Sequence, residues 1–127
     1  MADNISEKFI AALQELEASG EVENIVALFA DDCEVGNVAL TESLTGTDGA
    51  RQFWTNYRKT FKDVSSKFKN KITTDDTSAL EWTTTGSSEA GHEINYEGVS
   101  ILETDGEKIS RFFAYFDPGK LGNQIME

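Results

Sequence analysis

Near Ser65 the apolar pattern of this chain changes its period, and that change most narrows what the chain can become. Before it, Ile5, Phe9, Leu13 and Leu16 recur at the spacing of one helical face. After it, apolar and polar residues alternate through 67–74, 79–87, 93–103 and 108–116, the period of half-buried strands. Helices first and strands afterwards predict α+β, with the helices packed on one face of an antiparallel sheet.

Asn4 with Glu7 resembles a capping box at the start of the first helix, and Gly20 is a natural stop. Val22, Ile25, Val26 and Phe29 predict a shorter second helix that ends at Asp31 and Asp32. Short strands are expected in 33–40 and 42–46. Thr47 then caps a third helix, whose Ala50, Phe53, Trp54, Tyr57 and Phe61 form its apolar stripe. Asp105-Gly106 marks a hairpin between the last two strands, because the pair tolerates the positive φ of primed turns. Residues 88–92 read as a loop, and Asp117 before Pro118-Gly119 as the start of a turn. With no repeat or linker, 1–127 is expected to be a single domain.

Charge and cysteine content remove several classes of function. The net charge of −12, from 23 acidic and 11 basic residues, repels phosphate backbones and anionic headgroups, so neither nucleic acid nor a membrane surface is an expected partner. No apolar run approaches the roughly 20 residues that span a bilayer, and "MADNISEKF" lacks a secretory pattern, which makes the cytoplasm the expected location. Cys33 is the one cysteine and His92 the one histidine, so neither an intrachain disulfide nor a Cys/His zinc cage can form. Cys33 reads as a small buried hydrophobe, and no metal or cofactor is expected.

The last strand, "RFFAYFDP", carries aromatic rings on both faces. Alternation sends Phe112, Ala114 and Phe116 to one side, Phe113 and Tyr115 to the other. Helices can cover only one side. Phe113 and Tyr115, with Val99 and Ile101 of the neighbouring strand, make an apolar patch that monomers rarely leave bare, so a symmetric homodimer through the sheet is expected.

The order of elements, with "NIVALFADDCEVGNV", "LTGTDGARQFW" and "DGEKISRFFAYFDP", resembles the nuclear transport factor 2-like superfamily, and within it the SnoaL-like group. The resemblance implies a cone-shaped half-barrel, a curved mixed or antiparallel sheet wrapped around three N-terminal helices, with an apolar pocket between them. It also implies dimers built on the outer face of the sheet. Relatives include ketosteroid isomerases, polyketide cyclases, limonene epoxide hydrolases and scytalone dehydratase.

Matched residue by residue, the catalytic positions of those relatives hold other groups here. The isomerase's aspartate falls on Asn37, which has no useful basicity, its tyrosine near Leu13, and its acidic donor at about Gly98 or Val99. The last-strand aspartate of cyclases and epoxide hydrolases falls on Ala114, and the cyclases' assisting histidine near Ser100. The hydrolases' Arg-x-Asp is missing around Glu81 to Thr83, and scytalone dehydratase's pair of histidines is reduced to His92. The expected pocket is formed by Asn37, Phe53, Trp54, Tyr57, Trp82, Tyr96, Ser100, Phe112, Ala114 and Phe116, with His92 and Tyr96 as candidates for proton transfer. The function these imply is uptake of a small hydrophobic, cyclic molecule. The alternatives are a cyclase- or isomerase-like enzyme with non-standard residues, and a protein-interaction module.

Overall fold

The structure, a computed structural model, describes residues 2–126. In chain order it contains α1 (Ala2–Ser19), α2 (Glu23–Val26), β1 (Phe29–Asn37), β2 (Leu44–Thr45), α3 (Gly46–Lys59), β3 (Asp63–Thr73), β4 (Thr77–Ser87), β5 (Glu93–Asp105), β6 (Lys108–Phe116) and α4 (Pro118–Met126). The strands form one open sheet in the order β2-β1-β6-β5-β4-β3, antiparallel except for the parallel pair of β1 and β6. Register shifts between Phe68 and Asn70 and between Glu103 and Thr104 bend the long strands into the curve of a half-barrel. The α+β half-barrel is therefore the fold. No helix of the described residues is long and apolar enough to cross a membrane.

α1 lays Ile5, Phe9, Leu13 and Leu16 into the concave face, all buried, and ends where the Gly20 N–H bonds Leu16 O at 2.8 Å with φ at 83°. α3 brings Ala50, Phe53 and Trp54 against the same face. Between them, rings interlock edge to face. Trp54 stands 5.0 Å from Phe112, 4.8 Å from Phe53 and 5.7 Å from Phe9, a geometry that each aromatic quadrupole favours. Lys71 reaches Glu7 at 2.8 Å and Arg51 reaches Glu23 at 2.9 Å on the surface, where solvent leaves such pairs worth little.

Several boundaries differ from the sequence expectation. The second helix stops at Val26, and Phe29 opens β1 instead of closing a helix. Its ring is needed in the core, 6.3 Å from Trp54, and its backbone is in register with Ile109. Asp31 and Asp32 thus lie exposed along a strand. α3 starts two residues earlier, with Thr45 in extended geometry as its N-cap and Thr47 inside the first turn, and Asn4 likewise lies inside α1. β3 begins at Asp63, because Val64 and Ser66 already alternate inward.

The largest difference is α4. Asp117 accepts from the backbone N–H groups of Gly119 and Lys120 at 3.0 and 3.1 Å, so the expected turn continues into a helix. Gln124 then takes over where β6 ends. Its side-chain amide accepts from Asn95 N–H at 2.7 Å and donates to Asn95 O at 2.8 Å, supplying the ladder bonds that a longer β6 would have made.

Candidate functional site

The helices do not fill the cone. A cavity of about 330 Å³ remains between α1, α3 and the concave sheet. Asn37, Phe53, Trp54, Tyr57, Trp82, Tyr96, Ser100, Phe112, Ala114 and Phe116 all stand on its wall, joined by Phe9 and Leu13 from α1 and Leu121 from α4. Among the described residues no charged side chain lines it, and its surface is aromatic and aliphatic with a few hydroxyls and amides. Trp54 Nε1 is buried with no hydrogen-bond partner among the described residues, and its indole is enclosed by the rings of Phe9, Phe53, Tyr57 and Phe112.

Across the sheet, Asn37, Ala114 and Ser100 form one row, with Asn37 opposite Ala114 and Ala114 opposite Ser100. The positions matched to the relatives' catalytic residues therefore meet in space, and they hold an amide, a methyl and a hydroxyl. Asn37 Oδ1 is used locally, accepting from Ala39 N–H at 2.9 Å. Ser100 Oγ accepts the Trp82 indole N–H at 2.9 Å. Gly98 sits beneath that indole, and a Cβ there would meet the Tyr115 carbonyl and lie 2.7 Å from Trp82 Cζ2. The large ring and the missing side chain are a matched pair.

One group behind this wall was not anticipated from the sequence. Glu17 of α1 is buried at 4 % exposure, behind the wall residues Tyr57, Ser66 and Thr84. Its Oε1 accepts from Ser66 N–H at 2.8 Å, and its Oε2 accepts from Ser66 Oγ at 2.5 Å and from the Tyr57 hydroxyl at 2.7 Å. Ser66 Oγ also lies 2.7 Å from Thr84 Oγ1. Burial, then the Glu17 charge, push the Tyr57 hydroxyl well above the usual tyrosine range, and the same two causes raise Tyr96. Both phenols stay neutral across ordinary pH. The signal was present in the sequence: Glu17 lies one helical turn after Leu13 on the apolar stripe, where a charge must find buried partners.

His92 lies in the loop between β4 and β5, where its backbone is bonded to Ser88, and it is not among the residues on the cavity wall. Cys33 is fully buried away from the wall, its Sγ 3.4 Å from Gly46 O, and burial raises its thiol pKa. Among the described residues no cluster of His, Cys, Asp or Glu is placed to hold a metal ion. On the convex face Phe113 and Tyr115 touch at 4.8 Å between ring centroids, with the Arg111 guanidinium over Phe113. Ile72, Ala79, Ile101 and Phe113 align across β3, β4, β5 and β6 as one apolar row, and Ile72 is 68 % exposed.

A family model described as a SnoaL-like domain matches residues 7–112. Among solved structures, TerC co-crystallised with polyporic acid is similar with a TM-score of 0.84 at 15% identity, covering 98% of each chain. A protein with a ketosteroid isomerase-like fold from Catenulispora acidiphila DSM 44928, in complex with trimethylamine, gives 0.81 at 16% identity over 94% of this chain and 92% of that one. An LEH-like epoxide hydrolase of M. tuberculosis gives 0.75 at 16% identity over 97% of this chain and 87% of that one. At such identities the likeness is one of fold. No protein of curated function matches the sequence.

Proposed function

The chain belongs to the SnoaL-like domain family, and from that premise we propose that it takes a small, apolar, cyclic molecule into the cone. The observation that carries this is the cavity itself. A half-barrel that buries so many aromatic rings yet leaves about 330 Å³ open forgoes packing that a larger side chain would restore, and aromatic walls with a few placed polar groups suit a ring-shaped ligand. Two structural neighbours hold small molecules, polyporic acid in one and trimethylamine in the other, which supports the reading without naming the ligand.

Binding is favoured over the chemistry of the catalytic relatives because the row of Asn37, Ala114 and Ser100 brings no carboxylate or imidazole to the cavity. A cone filled by its own side chains would have favoured an interaction module, and this cone is open. Native mass spectrometry of the purified protein tests the proposal: a retained small molecule, lost from a variant with a filled cavity, is the expected result. We also propose that the protein is a homodimer joined through the convex face of the sheet, where the row from Ile72 to Phe113 would be covered.

A further inference from the structure

The hydroxyls around Glu17 can be given directions by counting protons. As a carboxylate Glu17 only accepts, so Tyr57 and Ser66 both donate to it. Ser66 has one hydroxyl proton and has spent it, so at the 2.7 Å contact with Thr84 it is Thr84 that donates. Every hydroxyl proton of the cluster therefore points inward, toward a charge behind the wall. What Tyr57 and Thr84 have left for an occupant of the cavity they line is lone pairs. Tyr96, in register with Thr84, lines the same wall and can turn its own proton toward an oxygen there.

We propose that this end of the cavity is a hydrogen-bond-accepting subsite, and that its ligand is a ring compound bearing a hydroxyl, whose O–H donates to Tyr57 Oη. The inference rests on the small-molecule reading above and narrows it. An alcohol or phenol satisfies the site in both senses, giving its proton to Tyr57 and accepting one from Tyr96. A ketone, aldehyde or ether of the same shape brings lone pair against lone pair at Tyr57. The arrangement is thus opposite to an oxyanion hole, which aims donors at developing negative charge. The buried charge of Glu17 favours a ligand proton at this end for the same reason.

The test compares naphthol, methoxynaphthalene and naphthaldehyde, similar in ring size, by calorimetry on the full chain. Naphthol is expected to bind roughly ten-fold more tightly than the other two, the scale of one hydrogen bond gained against one acceptor left unsatisfied. In Tyr57→Phe the preference disappears. In Glu17→Gln it shifts toward the aldehyde: with Oε1 still accepting from Ser66 N–H, the new amide N–H₂ donates to Tyr57, whose proton is released into the cavity. Circular dichroism establishes that each variant is folded, and the comparison on the unaltered protein stands without them. Equal affinity for the three compounds, or tighter binding of the aldehyde by the unaltered protein, overturns this inference alone. Failure of all three to bind overturns the pocket reading as well.

Discussion

Glu17 Oε2 accepts the hydroxyl of Tyr57 at 2.7 Å, joining α1 to α3 across 40 residues of sequence. Because the same carboxylate satisfies the Ser66 N–H of β3, it holds three elements at one corner of the cone. Glu17→Ala leaves the Ser66 N–H and the hydroxyls of Tyr57 and Ser66 without their acceptor in a buried place. The expected cost is about 2–4 kcal/mol of unfolding free energy, in the range for losing bonds to a charged group. Glu15→Ala, on the exposed face of the same helix, is expected to stay within about 0.5 kcal/mol. Urea unfolding of both variants checks the contrast, and equal effects would mean that the cluster contributes nothing.

The raised tyrosines make stability depend on alkaline pH. In the unfolded chain a tyrosine ionises near pH 10, whereas burial and the Glu17 charge hold Tyr96 above that in the folded chain. The neutral form is thus the one folding prefers, so the contribution is complete below about pH 10 and is lost as pH rises beyond it. For Tyr96 alone the slope reaches up to about 1.4 kcal/mol per pH unit. Denaturation midpoints measured from pH 8 to 11 should fall across the upper part of that range, and Tyr96→Phe should flatten the fall.

How much of this could be read beforehand depended on whether a position answers to periodicity or to partners. That Phe112, Ala114 and Phe116 share one face followed from strand alternation alone, and the structure places all three on the cavity wall. Phe29 misled because the spacing of a helix continues through it, while its tertiary place beside Trp54 and Phe112 decides for strand. α4 was unreadable for a related reason: its role is to replace β6 beside Asn95, and a two-residue partnership through Gln124 leaves no periodic trace. Glu17 was legible only as an anomaly. Its charge within an apolar stripe could be noticed, but Tyr57, Ser66 and Thr84 are assembled around it by the fold.

Gly98 and Trp82 offer a packing test. Any Cβ at position 98 meets the carbonyl of Tyr115, which is backbone and cannot swing aside, as well as the indole that donates to Ser100. Gly98→Ala should cost about 1–3 kcal/mol by overpacking, and Trp82→Phe in the same chain should recover part of it by shortening the ring. A double-mutant cycle in thermal unfolding checks the coupling, and strict additivity would show that the two sites are independent.

Ile101 and Phe113 stand opposite each other on the convex face, at the far end of the apolar row that begins at the exposed Ile72. Light scattering at micromolar concentration should give twice the 14.0 kDa of one chain, and Ile101→Lys should return it to the single-chain mass. A charge placed in a desolvated seam disrupts association, whereas on an open surface it changes little. A mass near 14.0 kDa for the unaltered protein would sink the dimer.

Ala114 tests whether the cavity is space held for a ligand. Enlarging a side chain inside a filled core forces its neighbours off their rotamers and costs about 1–3 kcal/mol. Cys33, fully buried and away from the wall, is such a position, and Cys33→Leu should pay in that range. Ala114 faces about 330 Å³ of open volume between Asn37 and Ser100. Ala114→Leu therefore has room to place its added carbons against Phe112 and Phe116 and should cost under about 1 kcal/mol, or even stabilise. The same substitution occupies volume that a bound ring needs, so naphthol affinity should fall by roughly ten-fold or more. Unfolding and calorimetry on the one variant give both numbers. Retained stability with lost binding is the outcome expected of a ligand cavity, while a large loss of stability would show that the position is packed core.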